Sequence, residues 1–207
     1  MPLASYASIG EVAHAYRIHC RYGEFATPIN EPLGASFRDE LAFTIREMPF
    51  RDTESAACES LIFPLPREVW KPYREWLTLW SHRPIAFDDD LCGTPDYIVA
   101  RRSPLGVIVF DLPYLIVVEA KKDDFERAWG QALAAMLAAQ KPNDSPDQTI
   151  YGIATNGMVW QFGQLLGDEF VQEPRPYTLR ALDDLAGALH FVMTQCRDQV
   201  NRQPVAT

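Results

Sequence analysis

The sequence predicts an α/β sandwich, with helices packed on a central mixed β-sheet. Three observations carry that expectation. The first third has amphipathic helical periodicity, strand-like apolar runs begin at Gly93, and helical periodicity returns after Lys121 and again after Leu179.

Residues 1–52 are expected to form a helical extension packed on a core of residues 53–207, the whole making one compact unit. In the extension, Ser36 with Asp39 three residues on predicts a helix start, and Phe37, Leu41, Ile45 and Met48 then share a face. A second helix is expected from Thr53. Counted from Glu54, Ala57, Cys58, Leu61, Ile62 and Leu65 follow helical spacing, so Glu54 heads the apolar face, an unusual place for a carboxylate. Pro64 and Pro66 are expected to end or kink this helix. From Glu68 to Trp80, the apolar-spaced Trp70, Tyr73, Trp76 and Trp80 read as a helical packing or dimer surface.

Strands are expected over Tyr97 to Ala100, Val107 to Phe110 and Tyr114 to Lys121, with a turn at Ser103 to Gly106. Leu115 to Val118 is apolar on both faces and should be covered on both. A helix then spans about Asp124 to Gln140, with Phe125, Trp129, Ala132 and Met136 inward. Asn156-Gly157, between Thr149–Thr155 and Met158–Gly163, signals a two-residue hairpin turn. A last helix covers about Leu179 to Val200, with Leu182, Leu185, Leu189 and Val192 in register.

Nineteen basic and 28 acidic side chains leave a formal net charge of −9. That excludes a basic domain held to phosphates by bulk charge, but not an enzyme that sets a divalent metal between carboxylates. Cys20, Cys58, Cys92 and Cys196 show neither zinc spacing nor a disulfide framework. Met1 to Gly10 has no secretory pattern, and the longest apolar run, Leu112 to Ala120, is too short to span a bilayer. A soluble protein of the reducing cytoplasm, without membrane association, is expected. No G-x-x-x-x-G-K-[ST] loop occurs, so no nucleotide cofactor is expected. His14, His19, His82 and His190 have no metal spacing along the chain and read as surface or core histidines. Asp88 to Asp90 reads as a solvated loop.

Chemistry concentrates in Gly93-Thr94-Pro95-Asp96-Tyr97 and Val117-Val118-Glu119-Ala120-Lys121. Strand alternation puts Glu119 and Lys121 on one face at the end of an otherwise apolar strand, and Asp96 begins a neighbouring strand of the same meander. Two adjacent carboxylates repel unless a cation or proton lies between them, and hard oxygen donors suit Mg²⁺. Lys121 would point into the same space, able to orient a water or neutralise phosphate charge. Gln131 stands on the following helix near its apolar face.

Pro95-Asp96 followed by Glu119-Ala120-Lys121 resembles the signature of the PD-(D/E)xK nuclease superfamily, whose members have the restriction-endonuclease-like fold. Thr53-Glu54, Leu61-Ile62-Phe63-Pro64-Leu65, Gly93 to Tyr97, Val118 to Lys121 with Gln131-Ala132, and Ala154-Thr155-Asn156-Gly157 with Trp160 are similar, in the same order, to the nuclease domain of type I restriction enzyme R subunits. The likeness covers roughly Thr53 to Phe162. It implies a restriction-endonuclease-like α/β/α sandwich that hydrolyses DNA phosphodiester bonds with Mg²⁺ or Mn²⁺. It implies Asp96, Glu119 and the Ala120 carbonyl as metal ligands, and Lys121 as the group that positions or activates the attacking water. Gln131 would lie near substrate or the lysine, and Glu54 would help hold metal or water. Glu59 and Glu40 are weaker candidates for the Glu54 role, Glu59 because five residues of α-helix turn it to another side. The helicase motor of the R subunits has no counterpart in this sequence. Five basic and five acidic residues between Ala100 and Gly130 predict weak, salt-sensitive binding to DNA, which a homodimer or partner protein would reinforce. The alternative is a catalytically silent module that keeps this fold for interaction or regulation.

Overall fold

A computed structural model describes residues 3–143, 145 and 147–202. In chain order the elements are α1 (Ile9–Tyr16), β1 (His19–Tyr22), α2 (Ala35–Glu47), α3 (Glu54–Ala57), a π-helical turn (Cys58–Ile62) and α4 (Pro64–Trp70). There follow β2 (Leu77–Ser81), β3 (Ile85–Ala86), β4 (Cys92–Gly93), β5 (Tyr97–Arg102), β6 (Phe110–Ala120) and α5 (Phe125–Asn143). The chain closes with β7 (Ile150–Thr155), β8 (Val159–Leu166), β9 (Glu169–Gln172), β10 (Tyr177–Thr178) and α6 (Leu182–Arg202).

The protein is mixed α/β. Its large sheet runs β1-β9-β8-β7-β6-β5-β2, with β10 paired to β8, while β3 and β4 pair separately. β1 with β9 and β6 with β7 are parallel, and the other pairs are antiparallel. The β6–α5–β7 crossover fits the rule that parallel neighbours need a long, usually helical connection. One layer of core packs α3, α4 and α6 against Tyr97, Val99, Val118 and Ala120. The other packs α1 and α5 against Ile98 and Val117. Each aliphatic side chain buried this way contributes about 1.5–3 kcal/mol. A charged group at the end of the same strand opposes folding instead, unless something compensates it.

The doubly covered strand, the helix after it and the closing helix form as the sequence predicts, and several details differ. Val107 to Phe110 is not a strand of its own. Val107 and Ile108 lie in an exposed turn, and Phe110 opens β6. Strand propensity there meets no surface to pack on. The aromatic stretch is helical only as far as Trp70, with a 3₁₀ turn over Lys71–Tyr73, and Trp80 sits in β2. Residues 3–52 also contribute a strand, β1, at the sheet edge. α2 begins after Gly34, with no side-chain cap, and buries Leu41 and Thr44 while Ile45 and Met48 remain exposed. Pro64 opens α4 at a position where no intrahelical N–H is needed, and the break falls in the π turn before it. The β7–β8 connection has three residues, not two. Asn156 Oδ1 accepts from the Met158 and Val159 amides at 3.1 and 2.9 Å, and Gly157 alone takes a positive φ, 84°. All four cysteines are free. Among the described residues no helix is long and apolar enough to cross a membrane.

Candidate active site

The site lies where β5 begins and β6 ends. Antiparallel pairing joins Tyr97 to Val118, so one step further the register sets Asp96 beside Glu119. The Asp96 carboxylate is fixed by the sheet end, with Oδ2 accepting from the Ala120 amide at 2.7 Å. A hydrogen bond to an ionised acceptor is worth about 1.5–3 kcal/mol. Burial still pushes the Asp96 carboxyl above its ordinary value, against the lowering influence of that amide and of Lys121.

Glu119 is only 5% exposed. Among the described residues none donates a hydrogen bond to its carboxylate. Burial first, and the Asp96 charge second, push it up to about 8, against the opposing pull of Lys121. A buried carboxylate without a donor, beside a second one, fits a cation. Asp96, Glu119 and a backbone carbonyl form the hard-oxygen set that Mg²⁺ accepts while keeping several waters. Among the described residues no three His, Cys, Asp or Glu side chains converge closely enough to hold an ion by themselves. The set therefore relies on the carbonyl and on water.

Lys121 continues the pairing of β6 through its amide, which donates to the Thr155 carbonyl at 3.0 Å. Its ammonium turns back to donate to the Ala120 carbonyl at 2.9 Å and to Glu54 Oε1 at 3.1 Å. The carbonyl expected as a metal ligand is thus engaged by the lysine. Glu54 reaches this point as the first residue of α3, whose cap is Thr53 Oγ1 accepting from the Ala56 amide. With Lys121 and Glu54 side chains 21% and 44% exposed, their ion pair adds roughly 0–1 kcal/mol, too little for stability to be its main effect. Its effect is to hold the ammonium over the strand end.

An open cleft of about 470 Å³ is lined among others by Glu54, Glu59, Phe63, His82 and Asp96, while Glu119 and Lys121 are not part of its lining. Glu59 does not turn away from Glu54 as α-helical spacing predicts. It lies in the π turn closed by the Phe63 amide on the Cys58 carbonyl at 2.8 Å, and it lines the cleft wall with Glu54. Cys58 also faces this cleft, its thiol pushed up to about 11 by burial and then by the Asp96 charge. Glu40 is exposed on α2 and is not part of the lining.

The structure brings Glu54, Asp96, Glu119 and Lys121 together and leaves Gln131 apart. The Gln131 amide is buried and donates to the Ala4 carbonyl at 3.1 Å, tying the N-terminal segment to α5. Arg127 donates to the same carbonyl at 3.3 Å. Gly130 is close-packed there too, since a Cβ would come within 2.6 Å of the Ser8 nitrogen. Gln131 is in this structure a fastening of the chain's own backbone.

His82 is the site residue that sequence reasoning missed. β2 pairs with β5 as far as Ser81 with Tyr97, and the His82 amide then donates to the Asp96 carbonyl at 2.8 Å. Its Nε2 stands 3.6 Å from Asp96 Oδ1. The signal available was the alternation Leu77-Thr78-Leu79 running into Ser81-His82, which reads as a strand once the tryptophan spacing is set aside. Compared with known families and proteins, the chain matches no family model and no curated protein.

Proposed function

We propose that the protein is a metal-dependent nuclease of the restriction-endonuclease-like fold, hydrolysing phosphodiester bonds in DNA. The observation that carries this reading is the buried Glu119 carboxylate, without a donor among the described residues, beside Asp96 and with the Lys121 ammonium at the same strand end. Support for the fold comes from the β5–β6 antiparallel pair followed by α5 and the parallel β7, which sets both carboxylates at one end of a helix-covered sheet.

Asp96, Glu119 and the Ala120 carbonyl would hold Mg²⁺ or Mn²⁺. A bound divalent ion would supply positive charge against the scissile phosphate and help ionise the attacking water. The chain's own groups do the rest. Lys121 carries a fixed positive charge that can leave the Ala120 carbonyl for a phosphate oxygen or orient the water. Glu54 keeps that ammonium from swinging into solvent. Water oxygen bonds to phosphorus, the bridging P–O bond breaks, and the departing oxygen takes up a proton. The acidic cleft wall, with Glu54, Glu59 and Asp96, disfavours DNA in the absence of a cation, so binding and cleavage should both follow metal. A homodimer or partner protein would supply further basic surface.

One observation favours the second reading, a silent interaction module: the Lys121 ammonium already satisfies the carbonyl that a metal would use. Incubating the protein with supercoiled plasmid and single-stranded DNA at low salt separates the two. The nuclease reading expects nicking or degradation with Mg²⁺ or Mn²⁺ and none with EDTA. Intact DNA under every metal condition would favour the module.

A further inference from the structure

We propose that a groove between the start of α5 and the β8–β9–β1 side of the sheet receives an unstacked nucleobase of the substrate, so that the substrate is single-stranded or locally unpaired DNA. The inference rests on the nuclease reading and deepens it by naming a substrate class.

The groove has a volume of about 490 Å³, and Tyr22, Phe125, Glu126, Trp129, Gln161 and Gln172 line it beside the first turn of α1. Strand register places it relative to the site. Glu119 pairs with Ala154, and Ala154 pairs with Gln161. Val117 and Ala154 both belong to the core on the α5 side, so alternation puts Glu119 and Gln161 on that same face. With neighbouring strands about 4.8 Å apart, Gln161 stands roughly 10 Å from Glu119, two strands along one row. A base beside the bond to be cleaved can span that distance once it leaves its stack.

Trp129 fixes the polar floor of the groove. Gly152 and Gly163 leave the sheet bare beneath the indole, where a Cβ would come within 3.3 and 2.9 Å of it. The indole N–H can only donate, and it donates to Gln161 Oε1 at 2.6 Å. That bond orients the Gln161 amide and leaves its NH₂ group for the groove. Gln172 Nε2 donates to the same oxygen at 3.4 Å, which leaves Gln172 Oε1 as an acceptor. Among the described residues Gln161 Nε2 and Gln172 Oε1 have no partner. The groove thus offers a donor next to an acceptor, and the pairing edge of an unpaired base presents the complement. In a duplex that edge is already occupied.

The rest of the lining suits a flat, neutral ring. Tyr22 is 74% exposed on β1, at the edge of the sheet, and Phe125 stands one helical turn before Trp129. Aromatic side chains in such positions stack on bases without regard to sequence. Among the described residues no lysine, arginine or histidine lines the groove, and Glu126 does. A carboxylate without a cation beside it repels phosphate, so the base and not the backbone is the occupant.

The test uses the full chain with Ca²⁺, which takes oxygen donors as Mg²⁺ does. Fluorescence anisotropy compares a labelled oligothymidylate, an abasic strand of the same length and charge, and a duplex. Oligothymidylate should bind at least about 5-fold more tightly than the abasic strand. Tyr22→Ala and Gln172→Ala should each remove most of that difference and leave duplex binding unchanged. Gln172→Leu gives the same readout if the alanine variant fails to fold. In ¹⁵N-labelled protein the Gln161 side-chain NH₂ and Trp129 indole signals should shift with oligothymidylate, and not with the abasic strand or the duplex. Equal affinity for the two single strands, or variants that bind both as the wild type does, overturns the base pocket; if DNA binding still depends on Asp96, the nuclease reading stands. Shifts produced by thymidine alone and not by the strand would make this a free-nucleoside site and overturn the substrate assignment. Absence of Asp96-dependent binding of any DNA overturns both.

Discussion

Replacing Glu119 with glutamine should stabilise the metal-free protein at alkaline pH and leave it nearly unchanged in acid. The reason is the environment at the end of β6, where burial and the neighbouring Asp96 push this carboxyl from its ordinary 4.5 up to about 8. Below pH 4.5 the folded and unfolded chains both hold the proton. Between 4.5 and about 8 the folded chain keeps it while the unfolded chain releases it, so stability falls as pH rises. Above that range both states are ionised and the loss is complete. A displacement of this size corresponds to about 5 kcal/mol at most, comparable to the whole stability of many domains. Glutamine keeps the shape and never ionises. Urea unfolding in EDTA from pH 5 to 9 should show the wild type losing several kcal/mol relative to Glu119→Gln, with the two curves meeting near pH 5. Added Mn²⁺ should restore the wild type at pH 9 and leave the variant where it was. Parallel pH profiles for the two proteins would refute the reasoning.

Three further outcomes follow from the geometry. Asp96→Asn should abolish Mn²⁺ binding by titration calorimetry without lowering denaturant stability in EDTA at neutral pH, because at the charged carboxylate burial outweighs the Ala120 amide. Gln131→Ala removes one donor from the Ala4 carbonyl, which keeps Arg127; it should cost about 1 kcal/mol, speed amide exchange in residues 3–8, and leave Mn²⁺ affinity unchanged. Gly157→Ala places a Cβ at φ 84° and 3.4 Å from Leu61, so it should lower stability by about 1 kcal/mol or more, seen as a reduced Tm with metal binding retained.

The parts of this protein that were legible in its sequence are those whose neighbours are close along the chain or whose burial is extreme. Leu115 to Val118 has apolar side chains on both faces and so announces a covered strand, and the α5 periodicity follows within a few residues. Glu54, Asp96, Glu119 and Lys121 stood out as charged groups on apolar elements, which is why reading the chain alone could bring them together. β1 was not legible, because all four of its residues are exposed and carry no alternation. β2 was hidden by the three- and four-residue spacing of Trp70, Tyr73, Trp76 and Trp80, which mimics a helix across a turn and a strand. The oversight at His82 descends from the one at β2. Its partner Asp96 is 14 residues away, and only the β2–β5 ladder closes that distance. The π turn at Cys58–Ile62 was not legible either, since no residue type marks it. Gln131 failed in the opposite sense: its position on α5 was legible, but the N-terminal segment that claims its amide was not.

The central claim is that Asp96, Glu119 and Lys121 hydrolyse phosphodiesters with a divalent ion. Single-turnover cleavage of labelled DNA by wild type, Lys121→Ala and Asp96→Asn, in Mg²⁺ and in Mn²⁺, tests it most directly. The expected result is cleavage by the wild type that EDTA abolishes, with Lys121→Ala slower by about 10²-fold or more and Asp96→Asn inactive. Cleavage that survives both substitutions at the wild-type rate would contradict the site. No cleavage by a wild type that binds Mn²⁺ would contradict the catalytic role.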